Sequence, residues 1–329
     1  MTGPERVRLA TLPTPLECGR GVLPGGARLW VKRDDLTGLG AGGNKARKLE
    51  FLCAAAVAAG ADTLVTVGAG QSNHCRTTAA AGAVLGLDVH LVLGGAAPAQ
   101  PVGNQLLSAL FGATAHFAGT SSWPELEAAK DALVERLRRQ GKRPYAIPIG
   151  GSTALGAVGF ALAYTELLDQ CAAVDLAPTA IVVTSSSGGT HAGLVAGRAA
   201  ARACGRPAPP VIGVAVAPVV RDLRPIERLA AAVVHVAGLP GEVVEGDVEV
   251  VGQWMGSDYA VPTAEADAAV AWAARHGAWV LDRVYTGKGF AALLGLAAAG
   301  RWAEGDDVVF WHTGGLPSVF APGGVSSPG

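Results

Sequence analysis

The chain has 329 residues, of which 50% are hydrophobic and 16% are charged. This composition supplies enough apolar side chains for one large or two medium domains, and it excludes an intrinsically disordered chain. The net charge of −1 gives no basis for binding nucleic acid or an anionic membrane. The five cysteines lack metal-ligand spacing and the first residues do not form a signal-peptide pattern, so we expect a cytoplasmic protein without a metal.

Short β-branched runs alternate along the chain with alanine- and leucine-rich stretches of helical length. Strands are predicted at 29–32, 63–67, 89–93, 145–148, 180–184, 211–216, 248–251 and 307–311. Helices are predicted at about 44–59, 73–86, 122–139, 153–170, 190–203, 264–276 and 287–299. Uniformly apolar strands separated by helices indicate an α/β fold, with parallel-rich sheets flanked by helices.

A lysine follows a glycine turn at the start of the first predicted helix, in the motif GGNK at 42–45. Backbone N–H groups at a helix N-terminus favour the neutral form of Lys45 over the ammonium. A neutral amine is what Schiff-base chemistry requires. A solvated pair, Lys45 and Lys48, on an ordinary amphipathic helix explains the spacing equally well.

Two later strand-to-helix turns carry the residues of an anion site. The motif GAGQSNH at 68–74 offers Ser72 or Asn73 as the helix N-cap, and its N–H groups suit a carboxylate or phosphate. The motif TSSSGGT at 184–190 has neither the lysine of a nucleotide P-loop nor the glycine spacing of a dinucleotide site. It therefore favours a small phosphate group, although simple capping or a tight turn remains open for both motifs.

The last motifs are VYTGKG at 284–289 and HTGG at 312–315, which place hydroxyl groups near strand ends. Such hydroxyls can contact a heteroaromatic ring nitrogen or a substrate, but alone they are equally typical of polar turns. Together the motifs supply an amine, a carboxylate site, a phosphate site and ring contacts. An amino acid attached to pyridoxal phosphate needs those contacts.

The order KRDDLTG, GGNKARKLEFL, GQSNHCR, SSSGGTHAGL, VYTGK and HTGG resembles the D-cysteine desulfhydrase and 1-aminocyclopropane-1-carboxylate deaminase family of fold-type II pyridoxal-phosphate enzymes. The resemblance runs from about Leu12 to Ala321. It implies a two-domain fold like that of the tryptophan synthase β subunit, with pyridoxal 5′-phosphate between the domains. Residues 1–46 and 160–329 would form the large cofactor-binding domain, and 47–159 the small domain with the substrate-carboxylate loop. It also implies a homodimer.

The resemblance implies roles for individual residues as well. Lys45 would hold the cofactor as a Schiff base, and Asn73 would contact its 3′ oxygen. Ser72, Tyr259 and Tyr285 would join Lys45 as catalytic residues. The other expected contacts are Gln71, Ser72, Asn73 and His74 for the substrate, Ser187, Gly188, Gly189 and Thr190 for the phosphate, and Thr286 and Thr313 for the cofactor ring.

Two positions bear on the reaction. Deaminases have Glu and Leu where this chain has Thr286 and Thr313, which matches the desulfhydrases. A hydroxyl makes the ring a weaker electron sink than a carboxylate does, and expelling a thiolate demands less of the ring than opening a cyclopropane. We therefore predict a carbon–sulfur lyase that converts D-cysteine to pyruvate, sulfide and ammonia by β-elimination.

Several alternatives stay open. They are an aminocyclopropane-carboxylate deaminase, a cysteate sulfo-lyase and a specialised-metabolism relative with another amino-acid substrate. A non-catalytic metabolite-binding protein and a nicotinamide-dependent oxidoreductase are weaker, the latter because no GxGxxG follows the first strand. Asp258, Ala260 and Arg283 depart from the family pattern and could alter the charge near the substrate.

Overall fold

The computed structural model describes residues 3–217, 222–257 and 260–321. Tyr259 and Asp258 lie outside the described residues, so their roles remain predictions. The strands are β1 (Leu16–Val22), β2 (Arg28–Arg33), β3 (Thr63–Gly68), β4 (Asp88–Leu93), β5 (Thr114–Phe117), β6 (Pro144–Ala146), β7 (Ala180–Ser185), β8 (Val211–Ala215), β9 (Glu249–Val251) and β10 (Asp307–His312). The helices are α1 (Lys45–Ala58), α2 (Asn73–Leu85), α3 (Asn104–Leu110), α4 (Trp123–Arg139), α5 (Ala154–Ala173), α6 (Gly189–Ala203), α7 (Arg224–Ala237), α8 (Ala264–Gly277), α9 (Thr286–Ala298) and α10 (Leu316–Val319).

The strands form two sheets. A six-stranded sheet has the order β1-β2-β10-β7-β8-β9, and every pairing in it is parallel except that of β1 with β2. A four-stranded parallel sheet has the order β5-β4-β3-β6. All residues of β3, β7, β8 and β10 are buried, as expected of parallel strands covered on both faces. The predicted α/β fold with parallel-rich sheets flanked by helices is confirmed.

The two sheets draw on different parts of the chain. The six-stranded sheet uses strands within 16–33 and 180–312, and the four-stranded sheet uses strands within 63–146. The domain boundary predicted between residues 159 and 160 falls inside α5. That helix packs on α6 at close range, because a Cβ at Gly193 would lie 2.3 Å from the carbonyl oxygen of Ala157.

Several elements were not predicted from the sequence. Strand β1 contains two glycines and alternates between polar and apolar residues, and β5 is a four-residue edge strand. Helices α3 and α10 are too short to show a helical period. Helix α7 does show one, since its buried residues Ile226, Ala230 and Val233 recur at spacings of four and three.

Helix α1 is fixed to the large sheet by a buried charged cluster. Arg47 donates to both carboxylate oxygens of Asp34 and to both oxygens of Glu166, and Lys32 donates to Glu166 at 2.5 Å. The N–H of Asn44 donates to the carbonyl of Thr313 at 2.9 Å, just past the end of β10. These bonds hold the start of α1, and therefore Lys45, at the carboxyl edge of the six-stranded sheet.

Within the described ranges, no helix is both long and apolar enough to cross a membrane. The five cysteines are free thiols, of which Cys53, Cys75 and Cys171 are buried. Burial raises the pKa of Cys53 to about 12. A thiol that stays protonated in an apolar environment is unreactive.

Candidate active site

A cavity of about 450 Å³ opens where β3, β7 and β10 end. Ligands of open α/β sheets bind at such carboxyl edges. Most of the site residues predicted from the sequence line it, namely Lys45, Gln71, Ser72, Asn73, His74, Ser187, Tyr285 and Thr313. The structure thus brings together residues that lie up to 268 positions apart, from Lys45 to Thr313 (313 − 45).

Lys45 is the first residue of α1, and the turn before it depends on glycine. Gly42 has a φ of +73° and a Cβ there would lie 1.9 Å from the carbonyl oxygen of Asp35, so no other residue fits. The Lys45 Nζ donates to Asn44 Oδ1 at 2.9 Å. Burial, and after it the charge of Arg76, lowers the pKa of Lys45 to about 8. A large fraction of neutral amine near pH 8 suits a lysine that attacks a carbonyl.

Ser72, one of the two N-cap candidates in the sequence, is the N-cap of α2. Its Oγ accepts from the N–H of Cys75 at 3.2 Å, which leaves the Ser72 proton available to a ligand in the cavity. Gln71 also lines the cavity, but its amide is bound to the following loop. It donates to the carbonyl of Val102 at 3.1 Å and accepts from the N–H of Asn104 at 2.9 Å. Gln71 therefore shapes the wall more than it offers free polar atoms.

His74 presents a buried acceptor without a partner. Thr66 donates its hydroxyl proton to the carbonyl of Ile147, so the His74 Nε2 must be the donor in its 2.8 Å bond to Thr66 Oγ1. The Nδ1 then carries a lone pair, and it is buried with no hydrogen-bond partner. Burial, with the charges of Lys45 and Lys48, lowers the pKa of His74 well below its usual value. His74 is therefore neutral, and its Nδ1 can accept a hydrogen bond from a bound group.

Lys48 lies one helical turn beyond Lys45 and is 1% exposed. Its Nζ donates to the carbonyl of Gly150 at 3.1 Å and to Ser152 Oγ at 3.3 Å, and it has no carboxylate partner among the described residues. Burial, and then the charge of Lys45, lowers the pKa of Lys48 well below its usual value. A buried amine held only by neutral acceptors is a site prepared for an anion.

Hydroxyl groups and a helix N-terminus complete this anion site. Ser152 Oγ and Ser187 Oγ lie 2.8 Å apart, and α6 begins beside them. A Cβ at Gly189 would lie 2.7 Å from the Nζ of Lys48 and 2.6 Å from Ser152 Oγ, so glycine lets the backbone approach both groups. Ammonium, hydroxyls and free N–H groups at one point fit the phosphate of pyridoxal phosphate.

Three of the predicted phosphate-loop residues do not line the cavity. Gly188, Gly189 and Thr190 lie at the N-terminus of α6, directly after Ser187, which does line the cavity. Thr190 Oγ1 accepts from the Nδ2 of Asn44 at 3.0 Å, which couples the phosphate loop to the residue before Lys45.

At the opposite wall, Tyr285 and Asp282 face the cavity. The ring of Tyr285 lies 5.9 Å from the Nζ of Lys45, and its hydroxyl donates to the carbonyl of Thr184 at 3.1 Å. Thr286 is fully buried and does not line the cavity. Its hydroxyl donates to Asp282 Oδ2 at 2.7 Å and accepts from the N–H of Asp282 at 2.9 Å. Because its proton is held by a carboxylate, Thr286 can only accept from a further group.

Arg283 is a departure from the family pattern whose charge is balanced in the fold. It forms a bidentate pair with Asp267 of α8, with Nε–Oδ1 and Nη2–Oδ2 distances of 2.5 and 2.6 Å. It does not line the cavity. The suggestion that Arg283 alters the charge near the substrate therefore finds no support in its position.

Sequence reasoning missed several residues of this site. Asn44, Ser152 and Asp282 had no assigned role, and Lys48 was noted only as the neighbour of Lys45. A signal for Ser152 was present, because GGST at 150–153 repeats the glycine–hydroxyl composition of the 184–190 turn. Nothing in the sequence separates the roles of two lysines three residues apart on one helix.

The comparisons with known proteins agree with this geometry. A family model described as "Pyridoxal-phosphate dependent enzyme" matches residues 7–314. The D-cysteine desulfhydrase of Klebsiella pneumoniae (strain 342) is 40% identical over 328 residues, covering 96% of this chain and 95% of that protein. The D-cysteine desulfhydrase of Salmonella choleraesuis (strain SC-B67) is 38% identical over 331 residues, with coverage of 96% and 95%.

Solved structures share the fold. That of an ACC deaminase homologue is 34% identical, with a TM-score of 0.87 over 97% of this chain and 94% of that chain. That of a threonine deaminase from T.th. is 21% identical, with a TM-score of 0.66 and 92% of each chain covered, and it shows similarity of fold alone. With a family model that spans nearly all of its length, this chain belongs to the pyridoxal-phosphate dependent enzymes.

Proposed function

We propose that the protein is a lyase that removes the β-substituent of a cysteine-like amino acid, with D-cysteine as substrate and pyruvate, sulfide and ammonia as products. One observation carries this proposal: Lys45, whose amine has a pKa lowered to about 8, lines the same cavity as Gly150 and Ser187 of the anion site around Lys48. The names of the curated relatives support the choice of reaction.

Lys45, Ser72 and the anion site around Lys48 have separate roles in this reaction. When bound, the cofactor supplies an electron sink for charge that develops at the α-carbon of the substrate. Lys45 would hold the cofactor through its amine, and the same amine would be the base for the α-proton of the substrate. The N-terminus of α2 with Ser72 binds the substrate carboxylate, and the anion site around Lys48 binds the cofactor phosphate.

The described lining of the cavity favours an uncharged β-substituent, such as a thiol, over a sulfonate. Lys45 is the sole lysine or arginine among the described residues that line it, and the cofactor uses that amine. The sulfonate of cysteate would then lack a cation. The deaminase alternative is disfavoured because Thr286 stands directly after Tyr285, where a deaminase has a carboxylate. Asp282 is a carboxylate nearby, but four hydrogen bonds from residues 284–286 hold it.

A substrate panel tests the reaction. The purified protein with pyridoxal phosphate is incubated with D-cysteine, L-cysteine, β-chloroalanine, cysteate or aminocyclopropane carboxylate. We expect pyruvate and sulfide from D-cysteine, and neither product from the Lys45→Ala variant. Sulfite from cysteate, or 2-oxobutyrate from aminocyclopropane carboxylate, as the main activity would replace the proposal by the corresponding alternative.

We also propose that the enzyme acts as a cytoplasmic homodimer with the two domains expected from the family. Free thiols support the location, because reduced cysteines are typical of the cytosol. Exposed apolar side chains on α3 and just after α10, including Leu110 and Phe320, support a subunit interface. Light scattering on the protein as it elutes from a size-exclusion column would give its mass. A monomer at micromolar concentration would contradict the dimer.

A further inference from the structure

Arg76, on α2, is a fully buried guanidinium with no carboxylate partner in the described part of the chain. Its Nη1 donates to the carbonyls of Gly40 and Gly42 at 2.7 and 2.6 Å. Its Nε donates to Asn104 Oδ1 at 3.1 Å, and its Nη2 to Asn73 Oδ1 at 3.4 Å. Burial lowers its pKa to about 10, so it stays charged at neutral pH. An uncompensated positive charge therefore lies directly behind the cavity wall.

The donors of Arg76 fix the direction of the hydrogen bonds around it. An arginine side chain has only donors, so Asn104 must turn its oxygen toward Arg76. The Nδ2 of Asn104 then faces Asn73 and donates to its Oδ1 at 3.0 Å. With its oxygen held by Asn104 and Arg76, Asn73 must direct its own Nδ2 away from them.

The Nδ2 of Asn73 is the donor that remains for a ligand. Asn73 lines the cavity, and within the described residues its Nδ2 donates to no protein acceptor. Hydrogen bonds in a chain polarise one another, so a charged donor on Asn73 Oδ1 makes the opposite N–H a stronger donor. This arrangement favours an anionic oxygen over a neutral one at that point in the cavity.

We infer that Arg76 is a positioning residue that fixes Asn73 as a hydrogen-bond donor to the anionic ring oxygen of the bound cofactor. The inference rests on the proposed place of the cofactor on Lys45. Arg76 does not line the cavity, and it acts through Asn73 directly and through Asn104. The same guanidinium donates to the carbonyls of Gly40 and Gly42. It therefore fixes both the turn before Lys45 and the side-chain amide of Asn73.

The test is a double-mutant cycle read by cofactor binding. Arg76→Gln removes the charge and supplies an acceptor, which lets the amides of Asn104 and Asn73 reverse. Titration of the cofactor-free protein with pyridoxal phosphate, followed by the absorption band of the bound cofactor, should show a Kd weakened at least about tenfold, because a hydrogen bond aided by charge is lost. The band should also shift, because the charge on the ring oxygen loses its partner.

In the Asn73→Ala background the same substitution should change the Kd by less than about twofold, because residues that act through one another are not additive. Equal weakening in both backgrounds would show that Arg76 acts independently of Asn73 and would overturn the inference. So would a wild-type Kd and spectrum for Arg76→Gln.

Two further variants guard against a fold defect. Arg198→Gln changes an arginine of α6 that binds Asp247 at 3.0 Å, and it should leave the cofactor Kd and spectrum unchanged. If Arg76→Gln does not fold, Arg76→Lys takes its place, since it keeps the charge but cannot hold the turn and both asparagines at once. Its expected weakening of about threefold or more must again vanish in the Asn73→Ala background. A protein that binds cofactor normally but has no lyase activity would overturn the proposed function alone.

Discussion

Replacing Lys48 with methionine should weaken cofactor binding while leaving the cofactor-free protein at least as stable as the wild type. The Nζ of Lys48 has only two neutral acceptors, at 3.1 and 3.3 Å, so its charge has no partner until a phosphate binds. A hydrogen bond to a charged group contributes about 1.5–3 kcal/mol, which corresponds to a roughly 10- to 150-fold weaker Kd for pyridoxal phosphate. Methionine fills a similar volume without a buried charge.

The pH dependence of stability provides a second measurement on the same variant. Because burial, and then the charge of Lys45, depresses the pKa of Lys48 below 10.5, the folded chain releases this proton at a lower pH than the unfolded chain does. The free energy of unfolding therefore rises with pH between the lowered pKa of Lys48 in the folded chain and 10.5. Lys48→Met should reduce this rise in denaturant midpoint between neutral and alkaline pH.

Lys130→Met is the matched control for Lys48→Met. It removes a lysine of α4 that pairs with Glu127 at 2.5 Å, and it should leave the cofactor Kd unchanged. If Lys48→Met binds pyridoxal phosphate as tightly as the wild type, the anion site does not take the phosphate. If the variant is destabilised without cofactor, Lys48 is not a strained cation in the folded protein.

Three other outcomes follow from the packing and charges. Arg47→Met leaves the buried carboxylate of Asp34 without a cation and Glu166 with Lys32 alone, and it should lower the free energy of unfolding by about 3–5 kcal/mol in a denaturant titration; an effect below about 1 kcal/mol would contradict this role. Gly193→Ala places a methyl group against α5 and should lower Tm, with a cost of about 1–3 kcal/mol; an unchanged Tm would show that the two helices can separate freely. The rate of cofactor capture should rise with pH through about 8 and level off above it, since neutral Lys45 is the reacting form; a rate independent of pH between 6.5 and 9.5, roughly 1.5 units on either side, would show that another step or amine controls capture.

Much of the fold follows from local sequence alone. The parallel strands β3, β7, β8 and β10 are largely apolar runs, because they are covered on both faces, and such runs are visible without a structure. The turns at 42–45, 68–74 and 184–190 were placed correctly because glycines and capping residues mark where a strand ends and a helix begins. The N-cap at Ser72 is one such local determination.

Tertiary packing decided which role each residue of the site can take. Lys45 and Lys48 lie on one side of α1, and only the serines and the glycine that pack around Lys48 assign the anion to it. The place of Thr286 behind Asp282 and the orientation of Asn73 by Arg76 likewise depend on contacts between side chains. Burial removes the water that would otherwise satisfy each donor and acceptor, so the direction of every hydrogen bond is set by its neighbours in space. The sequence by itself therefore predicted many of the residues that line the cavity, and the tertiary structure decided what each of them can donate or accept.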